Sequence, residues 1–183
     1  MKDFIKDLVI AIARVVAVSL VIKPTIVKER SMESTLYENN YLFVNKIVYK
    51  FKDHPNRGDI IVFKSQLDDT DNGGKKLLIK RVIGVEGDTI TIKDGYVYRN
   101  GEKIDEPYVN EQGVTFDDEG LEIVDFTVPE DQLFCMGDNR MSSLDSRSPD
   151  VGTISEKNVV GKAFLRLYPF SDIGSLSQYS EKE

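Results

Sequence analysis

Three places in this chain carry side chains that could do chemistry. They are a serine in Arg30-Ser31-Met32-Glu33-Ser34-Thr35-Leu36, a lysine in Leu77-Leu78-Ile79-Lys80-Arg81-Val82-Ile83, and a polar run from Met136 to Asp150. As a strand, the lysine stretch sets Leu78, Lys80 and Val82 on one face and Leu77, Ile79, Arg81 and Ile83 on the other. An amine with aliphatic neighbours on its own face is a candidate for burial, which disfavours the ammonium and leaves a base. The alternative is an edge lysine that snorkels to solvent. The polar run packs Gly137, Asp138, Asn139, Arg140, Ser142, Ser143, Asp145, Ser146 and Arg147 behind the apolar stretch Gln132–Met136. These residue types form surface turns, and turns on a rigid scaffold are also where sites are built. Asp145 and Arg147 could pair and fix the loop, and the Ser143 hydroxyl could orient an amine. Ser31 alone reads as a solvated loop serine.

Composition removes several chemistries. The 183 residues include one histidine and one cysteine. His54 lies in Lys52-Asp53-His54-Pro55-Asn56-Arg57-Gly58-Asp59, an exposed turn, so a histidine-based triad has no good base. Cys135 can form no internal disulfide, and with His54 it makes no ordinary zinc site; no metal or other cofactor is expected. A net charge of −7 with 30% charged residues argues against nucleic acid as a partner.

The elements that must position these groups are mostly short strands. Tyr41–Phe51 and Gly58–Lys64 read as strands, and Lys75–Ile92 as two more around Gly84–Gly87. Asp94-Gly95 and Asn100-Gly101 are the strongest hairpin signals in the chain. Residues 111–131 are acidic with few large apolar side chains, an acidic loop or insertion, and 177–183 read as a tail. The expected fold class is therefore mainly β.

Ahead of this domain, Phe4–Ile22 is a 19-residue apolar run, roughly 28 Å long as a helix. No small-x-small site follows it, so residues 1–23 are expected to be an uncleaved membrane anchor, followed by the domain 24–176. Segment 1–22 carries +1 and the remainder −8. Arg14 falls on one helical stripe with Asp3 and Asp7. It either snorkels or meets a carboxylate on a partner membrane helix.

Four boxes in order, Ser31–Leu36, Arg57–Phe63, Lys80–Asp88 and Gly137–Arg147, resemble those of the type I signal peptidases. The ending Val159–Leu176 is similar too, and the single short anchor resembles the Gram-positive branch. The resemblance implies a signal-peptidase-like β domain on the extracytoplasmic side of the cell membrane, held by one transmembrane helix. It implies a serine endopeptidase that removes signal peptides from preproteins, with Ser31 as nucleophile and Lys80 as general base. Ser143 matches a hydroxyl that positions the amine, Asp145 and Arg147 a supporting ion pair, Asp138 a structural carboxylate, and Met32 the substrate pocket. The backbone N–H of Ser31 would serve the oxyanion.

The chain departs from that family pattern in places. Ser34 stands for a proline, Asn39 and Asn40 for a glycine and an acidic residue, and Ser142 for an asparagine. Glu29 occupies the position two before the nucleophile, where a small residue or serine is usual. A carboxylate beside a developing oxyanion would be repulsive unless it points away. Two other classes stand beside the peptidase. One is a signal-peptidase-like accessory of pilus assembly, binding pilins or sortase substrates with weak or no hydrolysis. The other is a self-cleaving Ser-Lys regulator, disfavoured by the apolar N-terminal segment.

Overall fold

In the computed structural model the described residues are 2–50, 54–70, 73–117 and 119–176. The chain starts as helix α1 (Lys2–Val21) and passes directly into strand β1 (Ile22–Ile26). β2 (Tyr41–Asn45), β3 (Ile60–Asp68) and β4 (Lys75–Gly84) follow. β5 (Thr89–Lys93), β6 (Tyr96–Arg99), β7 (Glu102–Lys103) and β8 (Ile123–Thr127) come next. β9 (Gln132–Met136), β10 (Ile154–Ser155), β11 (Val159–Tyr168) and β12 (Gly174–Ser175) complete the order.

Among the described residues the strands form two antiparallel sheets. The larger runs β1-β2-β11-β3-β4-β9-β10 with β12 added to β11; the smaller runs β7-β6-β5-β8. The mainly β fold expected from the sequence is what the chain adopts. Alternation decides the cores. Ile61, Phe63, Leu78, Val82, Leu133 and Cys135 pack on one side of the large sheet, while Val27, Met32, Leu36, Leu42, Val44, Ile60 and Val62 pack on the other. A third cluster of Ile83, Ile90, Ile92, Val97, Val128, Phe134 and Met136 joins the two sheets. Pro24 sits in β1, which pairs only with β2 and so needs no second ladder.

The turn signals hold. Asp94 and Gly95 (φ 52° and 78°) close β5 on β6, and Asn100 and Gly101 (φ 55° and 83°) close β6 on β7. These left-handed pairs are what a two-residue hairpin turn demands.

Residues 111–131 correct one expectation, and α1 leaves a second without support. Residues 111–131 are not wholly loop, since they include β8, which pairs with β5. Its residues are almost all exposed, so the strand leaves no apolar alternation to read. The second concerns the anchor. No helix among the described residues is long and apolar enough to cross a membrane. Lys6, Asp7 and Arg14 interrupt α1, which ends at Val21 rather than beyond Ile22. Phe4, Val9, Ile12, Val15, Val16 and Leu20 are nonetheless exposed. The side chain of Asp3 and the tail 177–183 lie outside the described residues.

Candidate active site

The short helical turn Arg30–Met32 carries Ser31 on a segment leading out of β1, and β4 carries Lys80. The turn is pinned from several sides. The Glu33 amide donates to the Arg30 carbonyl, and the Leu36 amide to that of Met32 at 2.7 Å. The Asn139 amide donates to the Ser31 carbonyl at 3.0 Å, and its side chain donates to that of Arg30 at 3.2 Å. Met32 and Leu36 plug the turn into the core beneath. Ser31 is thus held at 6% exposure beside the Lys80 amine, 1% exposed, which donates to its hydroxyl at 2.6 Å.

Lys80 and Arg81 are both buried cations on opposite faces of β4, and their partners set them apart. Arg81 makes a two-pronged contact with Asp138 at 2.8 and 2.6 Å, donates to the Gly58 carbonyl, and lies 3.9 Å over the Tyr108 ring. Its charge is matched. Lys80 makes no ion pair among the described residues. Burial lowers its pKa from the ordinary 10.5, with the Asp145 and Glu29 charges opposing that and Lys76 and Arg147 adding to it. A buried amine whose nearest partner is a neutral hydroxyl holds its proton less tightly than one matched by a carboxylate.

Behind the pair stands the loop after β9. Arg147 Nε and Nη2 donate to Asp145 at 2.8 and 2.9 Å, and the Gly137 amide donates to Asp145 Oδ2 at 2.9 Å. Burial alone would raise the fully enclosed Asp145 carboxyl, but these bonds and the Arg147 charge hold it below the usual carboxylate range. The Ser143 hydroxyl donates to Asp145 Oδ2 at 2.6 Å. It makes no hydrogen bond to Lys80 among the described residues, so the positioning contact implied by the family resemblance is absent here. Its place against Ser31 is instead set by packing, because a Cβ on Gly137 would overlap both the Ser143 hydroxyl and the Ser31 carbonyl oxygen.

A cleft of about 810 Å³ opens beside Ser31. β1 and the segment after it form one wall, residues 76–79 of β4 the other, with Val62 and Met32 also lining it. Both walls present unpaired strand edges. Among the described residues β1 pairs only with β2, and β9 joins β4 only from Arg81 onward. The Thr25 hydroxyl oxygen is buried with no hydrogen-bond partner among the described residues.

Of the site residues expected from the sequence, Ser31, Met32, Lys80, Ser143, Asp145 and Arg147 gather at this corner, while Asp138 holds Arg81 on the opposite face of β4. Reading the sequence named Arg81, Gly137, Asn139 and Arg140 but gave them no role, and it missed Glu106, which pairs with Arg140 and with Thr115 braces the loop. Arg81 was findable, since it stands beside Lys80 in an apolar strand and needed a carboxylate. Gly137 acts through backbone geometry and Asn139 through both its amide and its side chain on the distant turn at Arg30–Ser31, which residue type does not announce. His54 is exposed, bonds Glu156 at 2.7 Å and takes no part.

The departures find local reasons. Ser34 has φ 85°, closed to proline, and its hydroxyl donates to the Tyr108 carbonyl. Asn39 has φ 65°, a left-handed position that asparagine tolerates. Glu29 forms an ion pair with Lys76.

A serine hydroxyl and a lysine amine thus lie buried together beside a cleft in a β scaffold, with the single histidine elsewhere. The chain matches the family described as signal peptidase, peptidase S26, over residues 1–168. A signal peptidase I of Bacillus amyloliquefaciens is 34% identical over 93% of this chain and 90% of that protein. A signal peptidase I P of Bacillus subtilis subsp. natto is 38% identical over 93% and 91%. The crystal structure of a signal peptidase I from Enterococcus faecalis is 35% identical, covering 60% of this chain and 97% of that one, with a TM-score of 0.46. The chain belongs to the signal peptidase family, as a type I signal peptidase.

Proposed function

We propose that this protein is a membrane-associated serine endopeptidase that removes signal peptides with Ser31 as nucleophile and Lys80 as general base. The observation that carries the reading is the 2.6 Å bond between the Lys80 amine and the Ser31 hydroxyl, inside a pocket that lowers the amine's pKa.

The substrate chain lies in the cleft as an added strand, its backbone meeting the free edges of β1 and β4. Met32 and Val62 leave a shallow apolar floor that accepts small side chains and rejects bulk. Ser31 Oγ attacks the scissile carbonyl as Lys80 takes its proton, and the amine then returns that proton to the leaving nitrogen. The Ser31 amide stabilises the oxyanion, an effect usually worth roughly 100- to 1000-fold for one donor. Water, deprotonated by the same amine, releases the acyl group from Ser31. Asp145, Arg147 and Ser143 hold the frame, and Asp138 balances Arg81.

The exposed Phe4, Val9, Val15 and Leu20 of α1 support a reading in which the cleft works beside a bilayer, on its extracytoplasmic side. Arg14 is then matched by a partner helix or by the lipid headgroups. The close Ser31–Lys80 contact favours hydrolysis over a purely accessory role in pilus assembly, which would not require it.

The test is a preprotein with an Ala-x-Ala site, incubated with the full chain in detergent and its products weighed. A single cut after the last small residue, lost in Ser31→Ala and Lys80→Ala, is expected. No cut, with both alanine variants still supporting pilus assembly in cells, would favour the accessory reading.

A further inference from the structure

Glu29 and Lys76 form an ion pair that joins the two walls of the cleft. Glu29 precedes the turn carrying Ser31, in extended backbone (φ −124°, ψ 158°) and with no capping bond from its side chain. Lys76 lies four residues before Lys80 on the same face of β4. Their side chains are 43% and 41% exposed.

Both charges act on Lys80. The carboxylate of Glu29 favours its ammonium and the ammonium of Lys76 disfavours it, alongside Asp145 and Arg147 from the loop after β9. Asp145 and Arg147 are locked together by two bonds, β3 opposes Lys80 with the uncharged Ile61, and the Cys135 thiol on β9, its pKa pushed up by burial, stays uncharged. The Glu29–Lys76 pair is therefore the adjustable part of the field. The same carboxylate stands two residues from the amide that meets the oxyanion. Unpaired, it would oppose catalysis twice, by keeping the amine protonated and by repelling the negative oxygen.

We propose that Lys76 is a positioning residue of the hydrolytic site, drawing Glu29 to the opposite wall so that its charge spares both the Lys80 amine and the oxyanion. This rests on the Ser31–Lys80 reading above. Because the neutral amine is the active form, losing Lys76 raises the Lys80 pKa and moves the acid limb of kcat/KM to higher pH; losing Glu29 moves it lower.

The experiment compares pH profiles of preprotein cleavage by the full chain in detergent for Lys76→Met, Glu29→Gln, the double variant and Lys76→Arg. Lys75→Met, which loses only surface contacts with Asp68 and the Gln66 carbonyl, is the control. Lys76→Met should lose about three- to tenfold at pH values below the limb, with Glu29→Gln shifted oppositely. The double variant and Lys76→Arg should lie within about twofold of the unsubstituted chain, and Lys75→Met should be unmoved. NMR titration of 13Cε-labelled lysine should show the Lys80 amine moving in the same directions. Unmoved profiles and titrations, or a Lys76→Met defect that Glu29→Gln does not repair, would overturn the role of Lys76 alone when cleavage still depends on Ser31 and Lys80. No cleavage by the unsubstituted chain would overturn both readings together.

Discussion

Replacing Gly137 with alanine probes how tightly the nucleophile's turn is clamped. The added Cβ would overlap the Ser31 carbonyl oxygen and the Ser143 hydroxyl, and would stand 2.7 Å from the Ser143 Cβ. Carbon atoms rest about 3.5–4.0 Å apart, so roughly 0.8 Å or more must be given up somewhere. Neither neighbour yields freely. The Ser143 hydroxyl is bonded to an enclosed Asp145, itself gripped by Arg147, and the Ser31 carbonyl accepts the Asn139 amide at 3.0 Å. The relief is a shift of the Ser31 turn away from β4, which stretches its 2.6 Å contact with Lys80. A misplacement of about 1 Å in a reacting group costs on the order of 100-fold, or about 2.7 kcal/mol of barrier. Overpacking should cost a further ~1–3 kcal/mol of folding stability. Single-turnover cleavage measures the first and urea denaturation the second. Wild-type values of both in Gly137→Ala would refute the idea that this loop and turn form one rigid unit.

Three further outcomes follow from the buried charges. Arg81→Met strands Asp138 in a fully enclosed site and should cost about 3–5 kcal/mol in urea denaturation, much of it recovered in Arg81→Met/Asp138→Leu; a loss under ~1 kcal/mol would contradict the pairing. The Asp145 carboxyl is held below its ordinary range, so the stability it confers is present above that range and lost as pH falls through its folded value. Asp145→Asn should therefore flatten the acid side of the stability curve, and an unchanged curve would argue against it. Lys80 behaves oppositely to a paired lysine, because its folded pKa lies below the unfolded 10.5. Wild-type stability should rise with pH through that window by about 1.4 kcal/mol per unit. Lys80→Met should lack this rise and be at least as stable at neutral pH while inactive.

Much of the scaffold was legible because local chemistry specified it. Asp94-Gly95 and Asn100-Gly101 fixed two hairpins, and strand alternation in 77–83 placed Lys80 and Arg81 on opposite faces. What could not be read was the meeting of distant segments. Ser31 and Lys80 are 49 residues apart, and they touch only because β4 lies beside the pinned turn. The strand Ile123–Thr127 was hidden because it is paired by backbone while its side chains stay wet. The length of the apolar run Phe4–Ile22 reads as an anchor, while Lys6, Asp7 and Arg14 keep α1 short of a helix long and apolar enough to cross a membrane. The Ser143 role was carried by resemblance, and here its hydroxyl serves Asp145.

The most direct measurement is the initial rate of Ala-x-Ala preprotein cleavage by the full chain in detergent, for the unsubstituted protein, Ser31→Ala and Lys80→Met. Lys80→Met keeps the buried aliphatic stem and removes only the amine. A rate that climbs with pH in the unsubstituted chain and falls by about a thousandfold or more in each variant is the predicted result. Cleavage near the unsubstituted rate by either variant would contradict the Ser31–Lys80 mechanism.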